Sequence, residues 1–485
     1  MRAERQTLWM MLVVAGGVLA VSAAGCGIFG RGAEDEGPPL PVAPVVLTSN
    51  GMEIRWQTRA LLTPATHLTD LWVRDGFLVC HGSDHRVYVI DAKTGVRLWS
   101  KDLADVHETV WPPAVYEGDL WFATTTRLIG FHGADGTNIV AQTERGKREV
   151  KQAARRARRA KWEAKVAAMR IEQPDETPEH RAARAKAEVQ IAQQVATETM
   201  LETLTVDREG IELEFAPAGP PATNGVYVYV PDGKGWLQAV LVVPNVAYVR
   251  GGEELSRVER DERLVSWGRW TGDAVTAGPV VDNVFVYFGG RNGVVYASAQ
   301  NVRRVEWEYQ AEGSIVGDLK RTEAGRILAA SLDYSLYAFR GTSGQRDWRY
   351  NAGERIRRAP YAFGNQVFVF TQQAGLTALD SNAKGKVQWR LAEGNDIVTA
   401  DAETVYVLSR GNDLLAVGRT GGKVRWGAPL RRRSLIGTNE TNTGILYMAT
   451  PEGQILAAAK KQEAGQGAGE KAAEAEAAEA KAPAP

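Results

Sequence analysis

The sequence predicts an all-β chain that closes on itself as an eight-bladed β-propeller, with an α-helical hairpin inserted into it. Three observations carry this reading. A motif recurs along the chain at fixed internal offsets, short apolar runs of β-branched and aromatic residues precede each copy, and a basic, alanine-rich segment interrupts the period. In Tyr88-Val89-Ile90-Asp91-Ala92-Lys93-Thr94-Gly95-Val96-Arg97-Leu98-Trp99 the glycine stands seven residues after the tyrosine and the tryptophan eleven. Tyr337 with Gly344 and Trp348, and Leu415 with Gly422 and Trp426, keep both offsets. Tyr296 keeps Trp307 but has Arg303 in place of the glycine, and Leu379 reaches Gly385 and Trp389 through one extra residue. Degenerate copies fill the gaps. Leu128-Ile129-Gly130-Phe131 has Gly136 but Val140 at the tryptophan position. Trp236-Leu237-Gln238-Ala239-Val240 is followed late by Trp267, and Gln454-Ile455-Leu456-Ala457 by no tryptophan.

The chemistry of one unit follows from its residues. Val226–Val230, Val284–Phe288, Val367–Phe370, Val405–Leu408 and Ile445–Met448 show no polar alternation, so these strands need cover on both faces. A Gly/Asn/Asp turn such as Gly411-Asn412-Asp413 leads to a second strand. A Thr-Gly or Gly-Gly turn then supplies the positive φ for a hairpin into the tryptophan strand. Such small sheets, packed radially, form a propeller. Trp267, Trp307, Trp348, Trp389 and Trp426 stand 40, 41, 41 and 37 residues apart. With the insert set aside, residues 51–144 and 210–460 hold eight copies; seven blades with an oversized third unit is the alternative. The tryptophan strand missing after Gln454–Ala457 is expected from Met52-Glu53-Ile54-Arg55-Trp56-Gln57, which would complete the last blade and remove the free edges.

The pattern Tyr-Ala-hydrophobic-Asp, Thr-Gly, Trp resembles the PQQ-type repeat of quinoprotein dehydrogenases. It is also similar to the BamB-type scaffold lipoproteins of the outer-membrane β-barrel assembly machinery, which are eight-bladed. The resemblance implies that Trp56, Trp99, Trp267, Trp307, Trp348, Trp389 and Trp426 are structural, docking between adjacent blades. It also implies a membrane-anchored, non-catalytic scaffold for other envelope proteins, with outer-membrane protein assembly as its setting. The alternatives are a PQQ-dependent dehydrogenase and a propeller that binds carbohydrate or another small ligand. The dehydrogenases, by resemblance, carry an adjacent cysteine pair in many members and a calcium-binding carboxylate/amide set over the quinone. This chain has two cysteines, Cys26 and Cys80, far apart. No cofactor is therefore expected.

The N-terminus reads as an address. Arg2 and Arg5 precede an apolar run from Leu8 to Ala24, and Ser22-Ala23-Ala24-Gly25 leads into Cys26. A cysteine after Ala-Gly resembles the bacterial lipobox, although Ala23 stands where leucine is preferred. The resemblance implies that residues 1–25 are a signal peptide and that Cys26 is lipidated. Acylation at two points anchors a chain stably without a spanning helix. Gly27, where aspartate is absent, favours the outer membrane, on its periplasmic side. Residues 26–50, rich in proline, read as a tether.

Residues 145–209 are expected to form the helical hairpin. From Lys147 to Arg170 ten basic side chains stand against Glu149 and Glu163, with alanine filling much of the rest. Pro174 and Pro178 separate this helix from a second over about 179–204. Val140 and Gly225 mark the points across which blades 2 and 3 can be joined. Arg155, Arg156, Arg158 and Arg159 are the candidate partner-binding residues; the plain alternative is a tolerated loop insertion. Residues 461–485 are low-complexity and expected to be disordered.

Charge excludes one class of function. With 58 basic and 58 acidic side chains the chain is formally neutral, so no whole-body attraction to nucleic acid operates. His81-Gly82-Ser83-Asp84-His85 has a spacing that a metal site uses, but it falls where the repeat needs a turn, and the other histidines form no matching set. Cys80, in Phe77-Leu78-Val79-Cys80, reads as a packed thiol on a buried strand.

Overall fold

Eight antiparallel four-stranded sheets make up the computed structural model, which describes residues 39–140, 210–242, 249–250, 253–254, 265–300 and 304–461. Numbered from the first complete sheet, blade 1 spans 68–102, blade 2 114–212, blade 3 222–270 and blade 4 280–310. Blade 5 spans 320–351, blade 6 361–391, blade 7 394–429 and blade 8 435–460. Within blades 1 to 7 the strands pair in chain order, here A, B, C and D. The A strands of blades 1 and 8, of 2 and 3, of 3 and 4, and of 5 and 6 touch each other, so A lies toward the axis and D on the rim.

Burial shows why the apolar runs lack polar alternation. In blade 7, strand B (Thr404–Ser409) turns Tyr406 into a core shared with blade 8, and Val405 and Val407 into a core shared with blade 6. Successive strand residues point to opposite faces, and here each face meets a neighbouring blade. Among the described residues eight such apolar clusters occur, one for each boundary of the ring, including the one between blades 8 and 1. The ring is closed by Met52–Arg59, which pairs antiparallel with Gln454–Lys460, from Met52 opposite Lys460 to Arg59 opposite Gln454. The first propeller strand in sequence is thus strand D of the last blade.

Tryptophans on strand D latch neighbouring blades together. The Trp99 indole N–H donates to the Gly133 carbonyl of the next blade at 2.7 Å, Trp307 to Gly341 at 2.7 Å and Trp389 to Arg419 at 2.7 Å. Trp267 donates to Gln300 at 3.0 Å, and Trp56, on the closing strand, to Ala92 of blade 1 at 3.0 Å. Each acceptor lies in the C–D turn of the next blade, and the rings of Trp56, Trp99, Trp307 and Trp389 cover the glycine of that turn, Gly95, Gly136, Gly344 and Gly422. A Cβ on Gly344, which has φ +69°, would stand 2.5 Å from the Trp307 ring. Glycine is required there twice, by conformation and by space.

Trp348 is one of two exceptions. It covers Gly385, but its N–H has no acceptor. In blades 1, 5 and 7 the turn glycine N–H bonds back to the residue four before it, as Gly95 does to Asp91; in blade 6, Gly385 bonds to Asp380, one residue farther. The extra residue displaces the carbonyl that would have received the indole, and Ser381 Oγ in the same turn is unpaired too. Trp426 faces blade 8, whose strand D comes from the N-terminal side, so no C–D hairpin exists there to latch. It packs instead against the cluster holding Met52, its ring 6.1 Å from Tyr406.

Blade 2 departs from the sequence expectation that its repeat ends near Val140. Asn138 bridges to Phe131, and a helical turn then starts at Ile139. Strand D resumes only at Ile211–Glu212, opposite Leu128 and Arg127. Residues 141–209 therefore leave from within strand D, at the tryptophan position, and not between two finished blades. In blade 3, residues 243–264 likewise occupy the C–D connection, with Val249–Arg250 and Glu253–Glu254 paired as a ribbon. Both long excursions thus sit between strands C and D of adjacent blades, at a boundary where no tryptophan latch occurs among the described residues. The expected hairpin over 145–209, the expected signal peptide and residues 462–485 lie outside the described residues.

The stretch assigned to a tether is docked where it is described. Pro44–Ser49 forms a short helix, and Val42 and Leu47 are buried in the core between blades 7 and 8. The Pro41 carbonyl accepts the Arg431 N–H at 2.8 Å.

Three expectations follow from the latches. Trp348→Ala is expected to cost about 3–5 kcal/mol, as truncation of a packed tryptophan does. Trp307→Phe should cost about 1–2 kcal/mol more than Trp348→Phe, because only the former strands a carbonyl partner; denaturant melts of the pair check this, and equal losses would refute it. Gly344→Ala combines a left-handed backbone with overpacking and is expected to lose about 2–4 kcal/mol. The control Gly421→Ala, with nothing within 4 Å of its added Cβ, should leave the melting temperature unchanged.

Candidate functional site

Meandering blades sort their connections between two ends. A–B and C–D turns share one end, with the tryptophan latches and the roots of both excursions. B–C turns and D–A connections share the other. There, across blades 5, 6 and 7, lies an open cleft of about 780 Å³. The D–A connection between blades 5 and 6 contributes Arg355, Arg357 and Arg358, strand B of blade 6 contributes Phe370, and the B–C turn of blade 7 contributes Arg410.

The local sequence dictates how these side chains stand. Ile356, fully buried in the core between blades 5 and 6, pins the connection, leaving Arg355 and Arg357 on either side exposed. The Arg358 guanidinium lies over the Phe370 ring, 4.2 Å from its centroid, donates to the Asn395 carbonyl at 3.0 Å and faces Asp396 at 3.8 Å. Arg410 approaches the same ring at 6.0 Å and donates to the Gln372 carbonyl at 2.5 Å. One phenyl ring is thus flanked by two cations, an arrangement that orients both. Asp396 is pushed above the usual carboxylate range by burial, against the pull of the Ile397 N–H and Arg358. Glu354 is the carboxylate among the lining residues. Burial raises it, but N–H groups of Ala374 and Gln373 outweigh that and hold it below its ordinary value. Four arginines against one glutamate leave the cleft positive.

Its chemistry is recognition. Guanidinium forks match carboxylate and phosphate geometry, and their pKa keeps them charged at every physiological pH. The sequence did not single these residues out; the signal was present in the run Arg355-Ile356-Arg357-Arg358.

The His81 motif forms a hydrogen-bonded chain. His81 Nδ1 lies 3.1 Å from Asp70 Oδ2 and 3.0 Å from Thr69 Oγ1, and Nε2 faces His85 Nδ1 at 3.2 Å. Among the described residues no group of three or more His, Cys, Asp or Glu is arranged to hold a metal. Cys26 and Arg155, Arg156, Arg158 and Arg159 lie outside the described residues. Among the described residues no helix is long and apolar enough to cross a membrane.

The family model described as outer membrane protein assembly factor BamB matches residues 44–240, 245–392 and 381–467. The chain belongs to the BamB family. Its matched segments reach all eight blades, leaving only residues 241–244 of the ring unmatched. Among solved structures, the crystal structure of BamB from Moraxella catarrhalis is similar at 12% identity and a TM-score of 0.53. It covers 85% of this chain and 98% of that one. A computationally designed protein, Ika8, is similar at 10% identity and a TM-score of 0.51, over 81% of this chain and 96% of that one. At these identities the likeness is one of fold. No curated protein sequence matches the chain.

Cys80 is fully buried, and burial pushes its thiol well above the ordinary cysteine range. A thiol held protonated and covered is a poor nucleophile. In a Cys26→Ser chain, where Cys80 is the only thiol, maleimide labelling should be negligible in the folded protein and complete in denaturant. Fast labelling without denaturant would show that blade 1 opens.

Proposed function

We propose that this BamB-family chain is a lipid-anchored, non-catalytic scaffold on the periplasmic side of the cell envelope, at the outer membrane, where it holds other envelope proteins during outer-membrane protein assembly. The family match along the ring carries the reading. The lipobox-like Ser22-Ala23-Ala24-Gly25-Cys26 supports the anchor. The architecture supports the scaffold: packing uses the ring's interior, while connections of varied length are free to meet partners at both ends. The basic insert, with Arg155, Arg156, Arg158 and Arg159, is a second partner-binding surface in this reading. No PQQ or other cofactor takes part in it.

Cys26→Ser should shift the protein out of the membrane fraction or leave it unprocessed, with loss of labelling by a fatty-acid probe. The parent, crosslinked in cells and recovered from membranes, should bring down envelope proteins. Unchanged fractionation of the variant refutes the anchor, and a parent that recovers no envelope protein refutes the scaffold.

A further inference from the structure

The arginine cleft carries charge that the fold does not ask for. The D–A connection is nine residues long between blades 3 and 4 (271–279), 4 and 5 (311–319), and 5 and 6 (352–360). In each, the fifth residue is aliphatic and fully buried: Val275, Ile315 and Ile356. That shared anchor sets the three connections in register. Around it stand Ala274, Thr276 and Ala277 in the first, Ser314, Val316 and Gly317 in the second, and Arg355, Arg357 and Arg358 in the third. The three positions around the anchor are thus filled twice by small or uncharged residues, so the arginines serve something other than the turn. Nor does the protein use them all itself. Arg358 and Arg410 are tied to backbone carbonyls and to Phe370, whereas Arg355 and Arg357 make no hydrogen bond or ion pair among the described residues.

We propose that this cleft docks an acidic peptide segment of a protein partner, its carboxylates read by Arg355 and Arg357 beside the ordered Arg358–Phe370–Arg410 cluster. The inference rests on the scaffold reading and gives it a location and a partner chemistry. Two free guanidinium forks above a recess match side-chain carboxylates on an extended chain. The competing occupant is an anionic lipid surface, because Pro41 meets Arg431 at this same end, where the chain leads back toward Cys26. A bilayer is flat on this scale and meets projecting side chains; a recess of about 780 Å³ admits a peptide.

The test uses the detergent-solubilised full chain and a fluorescein-labelled peptide of eight glutamates, read by fluorescence anisotropy at low ionic strength. The parent should bind it saturably and ignore the eight-glutamine peptide. Arg355→Ala/Arg357→Ala should weaken binding at least tenfold. Arg340→Ala/Lys423→Ala, which removes the same charge at the opposite end, should not. Circular dichroism confirms that both variants keep the parental fold. Arg355→Lys/Arg357→Lys, which retains charge without the fork, should recover only part of the loss. No binding by the parent, or equal weakening by the cleft and control variants, overturns the proposal. So does sedimentation with phosphatidylglycerol/phosphatidylethanolamine vesicles that depends on Arg355 and Arg357 while peptide binding does not. These outcomes are read independently of the crosslinking recovery, so the cleft can fail while the scaffold stands.

Discussion

Interior strands of this chain are apolar on both faces, and no single blade can cover both. Each sheet must therefore find a neighbour on either side, a condition that only a closed ring meets for all eight. The apolar clusters are shared across boundaries, and the last boundary exists because Met52–Arg59 returns to finish blade 8. Closure also removes the exposed edge that an open stack would present to other chains. The tryptophan latch works within this constraint: it fixes the distance between one rim strand and the next blade's turn, using one hydrogen bond and one ring-to-glycine contact.

Departures from the latch coincide with departures from the repeat. The extra residue before Gly385 leaves the Trp348 N–H unpaired. Blade 8 has no C–D hairpin for Trp426. Between blades 2 and 3 no such latch occurs among the described residues, and both long excursions leave there. Elsewhere the ring uses other ties. Arg419, lowered in pKa by burial, donates to the Phe363 and Asp401 carbonyls and to Asn442 Oδ1, joining the A–B turns of blades 6, 7 and 8.

Function in this family fold is placed on connections, because the strands are consumed by packing. Two kinds of connection stand out, at opposite ends of the ring. One end carries the roots of the excursions in blades 2 and 3. The other carries the arginine cleft of blades 5 to 7, where a buried isoleucine holds the backbone and its flanking side chains face water.

The sequence by itself determined the repeat and pointed to eight copies, the circular closure and the blade tryptophans, while the choice of eight blades over seven was left to the structure. The repeat, its copies, the closure and the tryptophans are written as fixed offsets and periodic burial, which one blade imposes on its own residues. It did not determine where strand D of blade 2 continues. Two residues, Ile211 and Glu212, carry no pattern of their own and are strand only because Leu128 and Arg127 offer them free backbone groups. It did not show that Val42 and Leu47 are core, since their partners in blades 7 and 8 lie near the opposite end of the sequence. Nor did it reveal the cleft. Arg358, Phe370 and Arg410 come from three separate connections and strands, and only the packing of three blades at one end brings them to one ring and its two cations. Local chemistry repeats within a blade and is legible in sequence, whereas a site between blades is a matter of tertiary structure.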